Sequence, residues 1–158
     1  MPDLLDTQTH AHVQSAFAQD AQLCLLLQRY ARVAELEGFS EAARTFRELA
    51  ESVAFQAQGH LDLILPAGDP ISAREVGDTT QNLRSVLAAH DGVLSDSLDD
   101  MAAAAHAEGF AAIGSWFTTL RHARRAHRAR LVGVLGEEEM PVRPDGPVVA
   151  PGVGGVQP

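Results

Sequence analysis

The 158-residue chain has no lysine, one cysteine, and no apolar run of the roughly 18 residues that a membrane-spanning helix needs. The single Cys24 excludes a disulfide framework and a zinc knuckle of paired cysteines. The N-terminus shows no basic segment followed by an apolar core, so no secretory signal is expected. Together these absences predict a cytoplasmic protein without membrane insertion.

Basic residues are also scarce, with 12 against 21 acidic ones, a formal net charge of -9 and a pI near 5.1. Nucleic acid and anionic membranes carry charge of the same sign, so we expect neither as a general partner. The one basic stretch holds five arginines between positions 121 and 130. We expect a solvated or intersubunit face there, because Asp96, Asp99 and Asp100 can pair with these arginines.

The chain is rich in small and apolar residues at helical spacing. Its 46% of hydrophobic residues suffice for one domain with a single core. Cap and stop signals predict four helices. Their bounds are Asp6 or Thr7 to about Glu37, a Ser40 cap to about Leu65, Asp78 to about Glu108, and Ala111 to Leu135. Two prolines and two glycines between the second and third helices indicate a long crossover. The predicted fold of residues 1–136 is therefore all-α, an antiparallel four-helix bundle with one long crossover.

Residues 137–158 form a C-terminal tail of different composition, in which three consecutive glutamates precede prolines spaced among valine and glycine. This composition favours extended, polyproline-like chain over packing. We expect the tail to dock a protein partner, because its valines can fill shallow pockets while its backbone pairs with an exposed edge.

An internal repeat relates the two halves of the predicted bundle. Glu37-Gly38-Phe39 recurs as Glu108-Gly109-Phe110, at an offset of 71 residues. The same offset aligns Val53 with Arg124 and Gln56 with His127. Each half of the bundle therefore carries one pair of residues, three positions apart, at an equivalent height along the helices. The chain is predicted to be a duplicated helical hairpin.

The last predicted helix carries two ionisable residues among apolar ones. Alternating spacings of three and four place six residues on one helix face. They are Phe117, Leu120, Arg124, His127, Leu131 and Val134. Because a buried guanidinium or imidazole needs a polar partner, the residues that face Arg124 and His127 determine what the bundle can do.

Several sequence runs resemble the rubrerythrin family, and the resemblance extends over roughly residues 8–135. They are AFAQDAQ (16–22), EGFSEAARTFRELAE (37–51), GHLDLI (59–64), GDP (68–70), GDTTQNL (77–83) and EGFAAIGSWFTTLRHARRAH (108–127). The family has a ferritin-like di-iron bundle. The resemblance implies carboxylates on the first and third helices and a Glu-x-x-His pair on the second and fourth, because two irons need hard oxygen donors and imidazoles.

On the first two helices the chain departs from this implied ligand set. Asp20 occupies the position of the glutamate on the first helix and is one methylene shorter. Val53 and Gln56 occupy the positions of the Glu-x-x-His pair on the second helix. The first half of the site therefore keeps one carboxylate and no imidazole ligand.

The last two helices depart as well. His90 and Val93 occupy the positions of two glutamates on the third helix. Arg124 occupies the position of the last glutamate, and only His127 matches the implied ligand. The resemblance thus implies a degenerate di-iron site.

The charge of these seven residues argues against a cofactor. Two irons bring about four positive charges, whereas the set offers one carboxylate and a guanidinium that stays protonated. We expect Arg124 to fill the vacated space and pair with Asp20, in a core polar network with Gln56, His90 and His127. The favoured function is a non-catalytic interaction or structural subunit that forms a homo-oligomer, expected to be a dimer.

Two alternatives remain open. Asp20, His90 and His127 could hold one non-haem iron or zinc, which would make the chain a metal-dependent oxidoreductase of the rubrerythrin type that reduces peroxide. The apolar space around Val53 and Val93 could instead hold a small organic ligand.

Overall fold

The computed structural model describes residues 4–92 and 97–138, and the regular structure in these ranges is entirely helical. The helices are α1 (Gln8–Leu36), α2 (Ser40–Ile64), α3 (Thr79–Asp91), α4 (Leu98–Ala107) and α5 (Ala111–Glu138), with a 3-10 turn (Leu65–Ala67) after α2. The predicted all-α class is confirmed for this part of the chain. None of its helices is long and apolar enough to cross a membrane.

Helices α1 and α2 pack against each other and form hairpin 1. Their seam consists of small or aliphatic side chains that are at most 9% exposed, namely Leu27, Ala31, Ala34, Ala43, Ala50, Val53 and Ala57. Phe46 and Cys24 pack against its centre. Each buried methylene contributes roughly 0.8 kcal/mol, so this seam holds the hairpin together. Cys24 is a partly buried free thiol at this position.

The same turn joins α1 to α2 and α4 to α5. Gly38 and Gly109 have left-handed φ angles of +84° and +87°. The backbone amides of Phe39 and Phe110 each donate to a carbonyl five residues earlier, at 2.8 Å. This bond closes a Schellman motif, in which glycine avoids the strain that a Cβ would add. The repeated sequence therefore produces a repeated structure.

This turn also corrects a predicted cap. Helix α2 begins immediately after Phe39, which is its N-cap residue and makes no side-chain capping bond. Ser40 lies in the first helical turn, so the prediction that it caps the second helix is wrong.

Helices α3 and α4 both pack on α5 and form hairpin 2 with it. The prediction of one continuous helix from Asp78 to Glu108 is wrong, because α3 ends at Asp91 and α4 begins at Leu98. Gly92 leaves the helical conformation, with φ -117° and ψ -112°. Glycine costs about 1 kcal/mol relative to alanine inside a helix, which favours a break at this point.

Hairpins 1 and 2 do not pack against each other within the described part of one chain. Helices α1 and α2 contact each other, and α5 contacts only α3 and α4. The chain passes from one hairpin to the other through residues 65–78, beside a cleft between the end of α2 and the start of α3. The structure thus contains the two predicted antiparallel pairs. Within the described part of one chain they do not pack together into a four-helix bundle.

The crossover is held by polar contacts rather than by apolar packing. The carboxylate of Asp69 accepts hydrogen bonds at 2.7 Å from the backbone amides of Ile71 and Ser72. The hydroxyls of Ser72 and Ser85 lie 2.7 Å apart and join the loop to α3. At the end of the crossover, Asp78 and Gln81 form the predicted capping box.

The protonation of Asp69 depends on these contacts. Burial raises its pKa, but hydrogen bonds from the Ser72 and Ile71 amides and from the Ser85 and Ser72 hydroxyls lower it by more. The net pKa lies below the ordinary value of 3.8. The folded state therefore favours the ionised carboxylate.

We expect Asp69→Ala to lower the free energy of unfolding by about 1 to 2 kcal/mol at pH 7, because two amides lose their acceptor. Since the folded-state pKa is depressed, the ionised carboxylate stabilises the fold above about pH 4 and loses this effect as pH falls through the folded-state pKa. Asp69→Asn, which keeps one acceptor oxygen, should cost less. Urea unfolding at pH 7 and pH 3 measures both variants, and an Asp69→Ala cost that does not shrink at pH 3 would contradict the assignment.

Candidate functional site

The half of the predicted site on hairpin 1 is organised by a contact between a carboxylate and an imidazole that sequence reasoning missed. The Asp20 carboxylate lies 3.2 Å from Nε2 of His60, and the two side chains are 22% and 32% exposed. His60 lies on the same stripe of α2 as Val53. That position, seven residues after Val53, was the signal that could have identified it as the partner of Asp20.

The other two positions on hairpin 1 have different environments. Val53 is 9% exposed and belongs to the seam between α1 and α2. Gln56 is exposed, and its side-chain amide donates to the Ser52 hydroxyl at 3.5 Å. An apolar side chain has therefore joined the core where the family resemblance implies a metal ligand, and the amide lies outside that core.

The half on hairpin 2 is centred on two imidazoles. His90 is 9% exposed, with Nδ1 2.9 Å from the carbonyl oxygen of Val86. Its ring meets that of His127 edge-on, with centroids 5.7 Å apart. His127 is exposed and Arg124 is partly buried on the same helix. Val93 lies outside the described residues.

The structure does not bring these two halves together in one chain. Asp20 lies on hairpin 1 and Arg124 on hairpin 2, and the hairpins are not in contact. The predicted Arg124–Asp20 pair is therefore absent among the described residues, and His60 takes its place. The physical reason is the separation of the hairpins, which sequence periodicity does not reveal.

The residues at the site do not fit a di-iron centre. Such a centre needs several inward carboxylates, and these positions offer Asp20 alone, already engaged by His60. In the described ranges of one chain, no three His, Cys, Asp or Glu side chains lie close enough to hold a metal ion. What this arrangement can do chemically is pair charges and donate or accept hydrogen bonds.

The arginine cluster on α5 pairs with two acidic residues, of which Asp99 was a predicted partner and Asp91 was not, while the predicted partner Asp96 lies outside the described residues. Arg121 bonds to Asp99 of α4, and Arg128 bonds to Asp91 of α3. The hydrogen bond and the negative charge of Asp91 both raise the pKa of Arg128. These pairs join α5 to both parts of the broken third helix.

The Asp20–His60 pair should show measurable coupling. We expect Asp20→Asn and His60→Gln each to lower the free energy of unfolding, with a double-mutant coupling of about 0.5 to 1 kcal/mol. Arg124→Gln combined with Asp20→Asn is the matched control, and in a monomeric chain its effects should add. Additive effects of Asp20→Asn and His60→Gln in chemical denaturation would show that the pair does not stabilise the hairpin.

No family model matches the chain. Among curated proteins, the chain is similar to a protein named rubrerythrin from Porphyromonas gingivalis (strain ATCC BAA-308 / W83), with 27% identity over 137 residues. This alignment covers 84% of the present chain and 68% of the other protein. The similarity is distant, and together with the all-helical structure it supports a rubrerythrin-like helical protein.

Proposed function

We propose that this chain is a rubrerythrin-like helical protein with a degenerate di-iron site, and that it acts as a non-catalytic interaction or structural subunit. One observation carries the proposal. Arg124, a permanent cation, lies one helical turn before His127, at the position where the family resemblance implies a glutamate. At the other replaced positions the chain only loses a metal ligand, whereas Arg124 also repels a metal ion through its positive charge.

Electrostatics gives the size of that opposition. At an effective dielectric constant of 20, two unit charges about 6 Å apart repel by about 3 kcal/mol. A divalent ion bound by His127 would experience about twice this repulsion from Arg124. Asp20 is the one carboxylate in the set, and it lies on hairpin 1 beside His60, out of contact with the hairpin that carries Arg124 and His127.

A mononuclear metal site remains the second candidate, and one observation favours it. His90 and His127 lie together on hairpin 2, with ring centroids 5.7 Å apart. Asp20 would have to supply the carboxylate from hairpin 1. With one non-haem iron or zinc bound by these three residues, the chain would be a peroxide-reducing oxidoreductase of the rubrerythrin type.

Metal content and peroxide turnover separate the two candidates. For protein purified without chelators, we expect well under one iron or zinc per chain by mass spectrometry, and no peroxide consumption above a metal-free control. Stoichiometric metal with turnover that His127→Ala abolishes would establish the oxidoreductase instead.

A charge reversal tests the role of Arg124 directly. Arg124→Glu supplies a carboxylate three residues before His127, whereas Arg124→Gln removes the cation without adding a ligand. We expect Arg124→Glu to bind cobalt(II) or zinc(II) at least tenfold more tightly than Arg124→Gln, which corresponds to about 1.4 kcal/mol. Equal affinities for the wild type and both variants would show that Arg124 does not control metal binding.

The docking part of the proposal concerns the C-terminal tail, whose residues 139–158 lie outside the described residues. The spacing of prolines and valines in the sequence supports it. We expect deletion of residues 139–158 to abolish assembly with a protein partner without changing helical content. A second variant keeps the tail length and replaces Val148, Val149, Val153 and Val156 by serine. It should also abolish assembly, because the valine side chains are proposed to fill the pockets of the partner. Assembly unchanged in both variants would remove the tail from the proposal.

A further inference from the structure

We propose that a cavity at the tip of hairpin 1, where α1 turns into α2, binds a quaternary ammonium head group. The cavity has a volume of ≈ 260 Å³. Three aromatic rings and one carboxylate line it, and its other lining residues are aliphatic. Sites for small molecules commonly combine apolar walls with a few polar groups in this way.

Two of the rings come from the two facing helices. Tyr30 of α1 and Phe46 of α2 have ring centroids 5.8 Å apart, with an angle of 57° between the ring planes. Rings at this angle form a corner rather than a stack. Phe46 packs against the core of the hairpin, whereas Tyr30 is 47% exposed, so the corner is accessible from solvent.

The third ring belongs to Phe39 in the turn between the helices. The turn fixes its backbone, because its amide donates to the carbonyl of Ala34 at 2.8 Å and the preceding Gly38 has a left-handed φ of +84°. The Phe39 side chain is 62% exposed and lines the same cavity as the other two rings. Several aromatic faces around one space are the arrangement that binds methylated ammonium groups, because each ring attracts a cation through its quadrupole.

The charge at the tip also favours a cation. Glu37 is the charged residue that lines the cavity, and it is exposed. The two nearby arginines are already engaged. Arg44 is paired with Glu41 at 2.7 Å, and Arg47 is paired with an acidic residue of α1 at 2.8 Å. Among the described residues Glu37 has no ion-pair partner, so its negative charge is left to attract a ligand.

The apolar walls select a quaternary ammonium group over other cations. A metal ion or a primary ammonium is strongly hydrated, and a single carboxylate does not replace the oxygen ligands or hydrogen bonds that it would lose. A quaternary ammonium has no N–H donor to satisfy. Its methyl groups can bury apolar surface against the rings while Glu37 neutralises its charge.

Hairpin 2 provides an internal comparison, because its tip repeats the Glu-Gly-Phe turn with the same backbone bond. Under the offset of 71 residues, Tyr30 corresponds to Met101 and Ala42 to Ile113. Methionine has no aromatic face, and isoleucine occupies space that alanine leaves open. Since the same turn forms without a tyrosine or an alanine at these positions, the folding of the turn does not explain Tyr30 and Ala42 in the cavity of hairpin 1.

Binding of choline to the full-length wild-type chain tests the cavity without any substitution. The matched neutral ligand is 3,3-dimethyl-1-butanol, which has the same shape with a carbon atom in place of the charged nitrogen. In NMR titrations at low salt, choline should bind about tenfold more tightly, because only choline is attracted by the rings and by Glu37. Equal affinities, or no binding of choline at millimolar concentration, overturn the proposal.

Substitutions that give hairpin 1 the residues of hairpin 2 locate the site. Tyr30→Met and Ala42→Ile should each weaken choline binding about tenfold, the first by removing an aromatic face and the second by filling the cavity. Glu37→Gln should weaken it about threefold, since an exposed charge is partly screened. Glu108→Gln at the tip of hairpin 2 is the matched control and should leave the affinity unchanged.

Unchanged affinity in both Tyr30→Met and Ala42→Ile overturns the assignment, as does an equal loss in Glu37→Gln and Glu108→Gln. Circular dichroism establishes that each variant keeps its helical content. If a variant loses it, the comparison of choline with its neutral analogue in the wild type still decides the outcome. None of these measurements depends on the metal content of the chain.

The same titration identifies the source of the head group. Choline and a peptide that contains trimethyllysine carry the same trimethylammonium group. Tighter binding of choline assigns the cavity to a free small molecule, and tighter binding of the peptide assigns it to a methylated side chain of another protein. Either result supports the proposal, whereas binding of neither ligand overturns it.

Discussion

A pair of antiparallel helices can bury only one of its sides against itself, and this constraint governs the molecule. In hairpin 1 the seam is filled by alanines, Leu27 and Val53, which are nearly all inaccessible to solvent. The adjacent flank keeps leucines and a tyrosine that are about half exposed. Hairpin 2 repeats the arrangement. Each hairpin thus keeps apolar side chains that its own helices do not cover.

Much of the fold could be predicted because its signals are local. The left-handed Gly38 and Gly109, the Thr7 cap and the Asp78 capping box lie where the sequence places them. Each depends on residues within one turn of the chain. The break at Gly92 was missed because apolar spacing continues from α3 into α4, and periodicity alone does not register one unfavourable residue.

The candidate site was harder to predict because it depends on distant contacts. The resemblance identifies which positions changed, and the chemistry of a guanidinium indicates what such a change opposes. Neither the resemblance nor this chemistry indicates which side chain a carboxylate contacts in the folded protein. Asp20 was assigned to Arg124, but the closer group is His60 on the neighbouring helix. The assignment failed because equivalent height in a bundle does not guarantee that two hairpins of one chain touch.

The uncovered apolar side of hairpin 1 also has a consequence while the chain is being synthesised. Helix α2 ends at Ile64, and the last described helix ends at Glu138. At typical synthesis rates of about 5 to 20 residues per second, hairpin 1 is finished roughly 4 to 15 seconds before hairpin 2. Leu23, Leu49 and Leu63 are exposed throughout that interval, and hairpin 2 of the same chain does not cover them afterwards. Nascent chains on neighbouring ribosomes of one messenger RNA would then expose these apolar surfaces close to each other. Chaperones that bind unfolded chains would recognise the same surfaces.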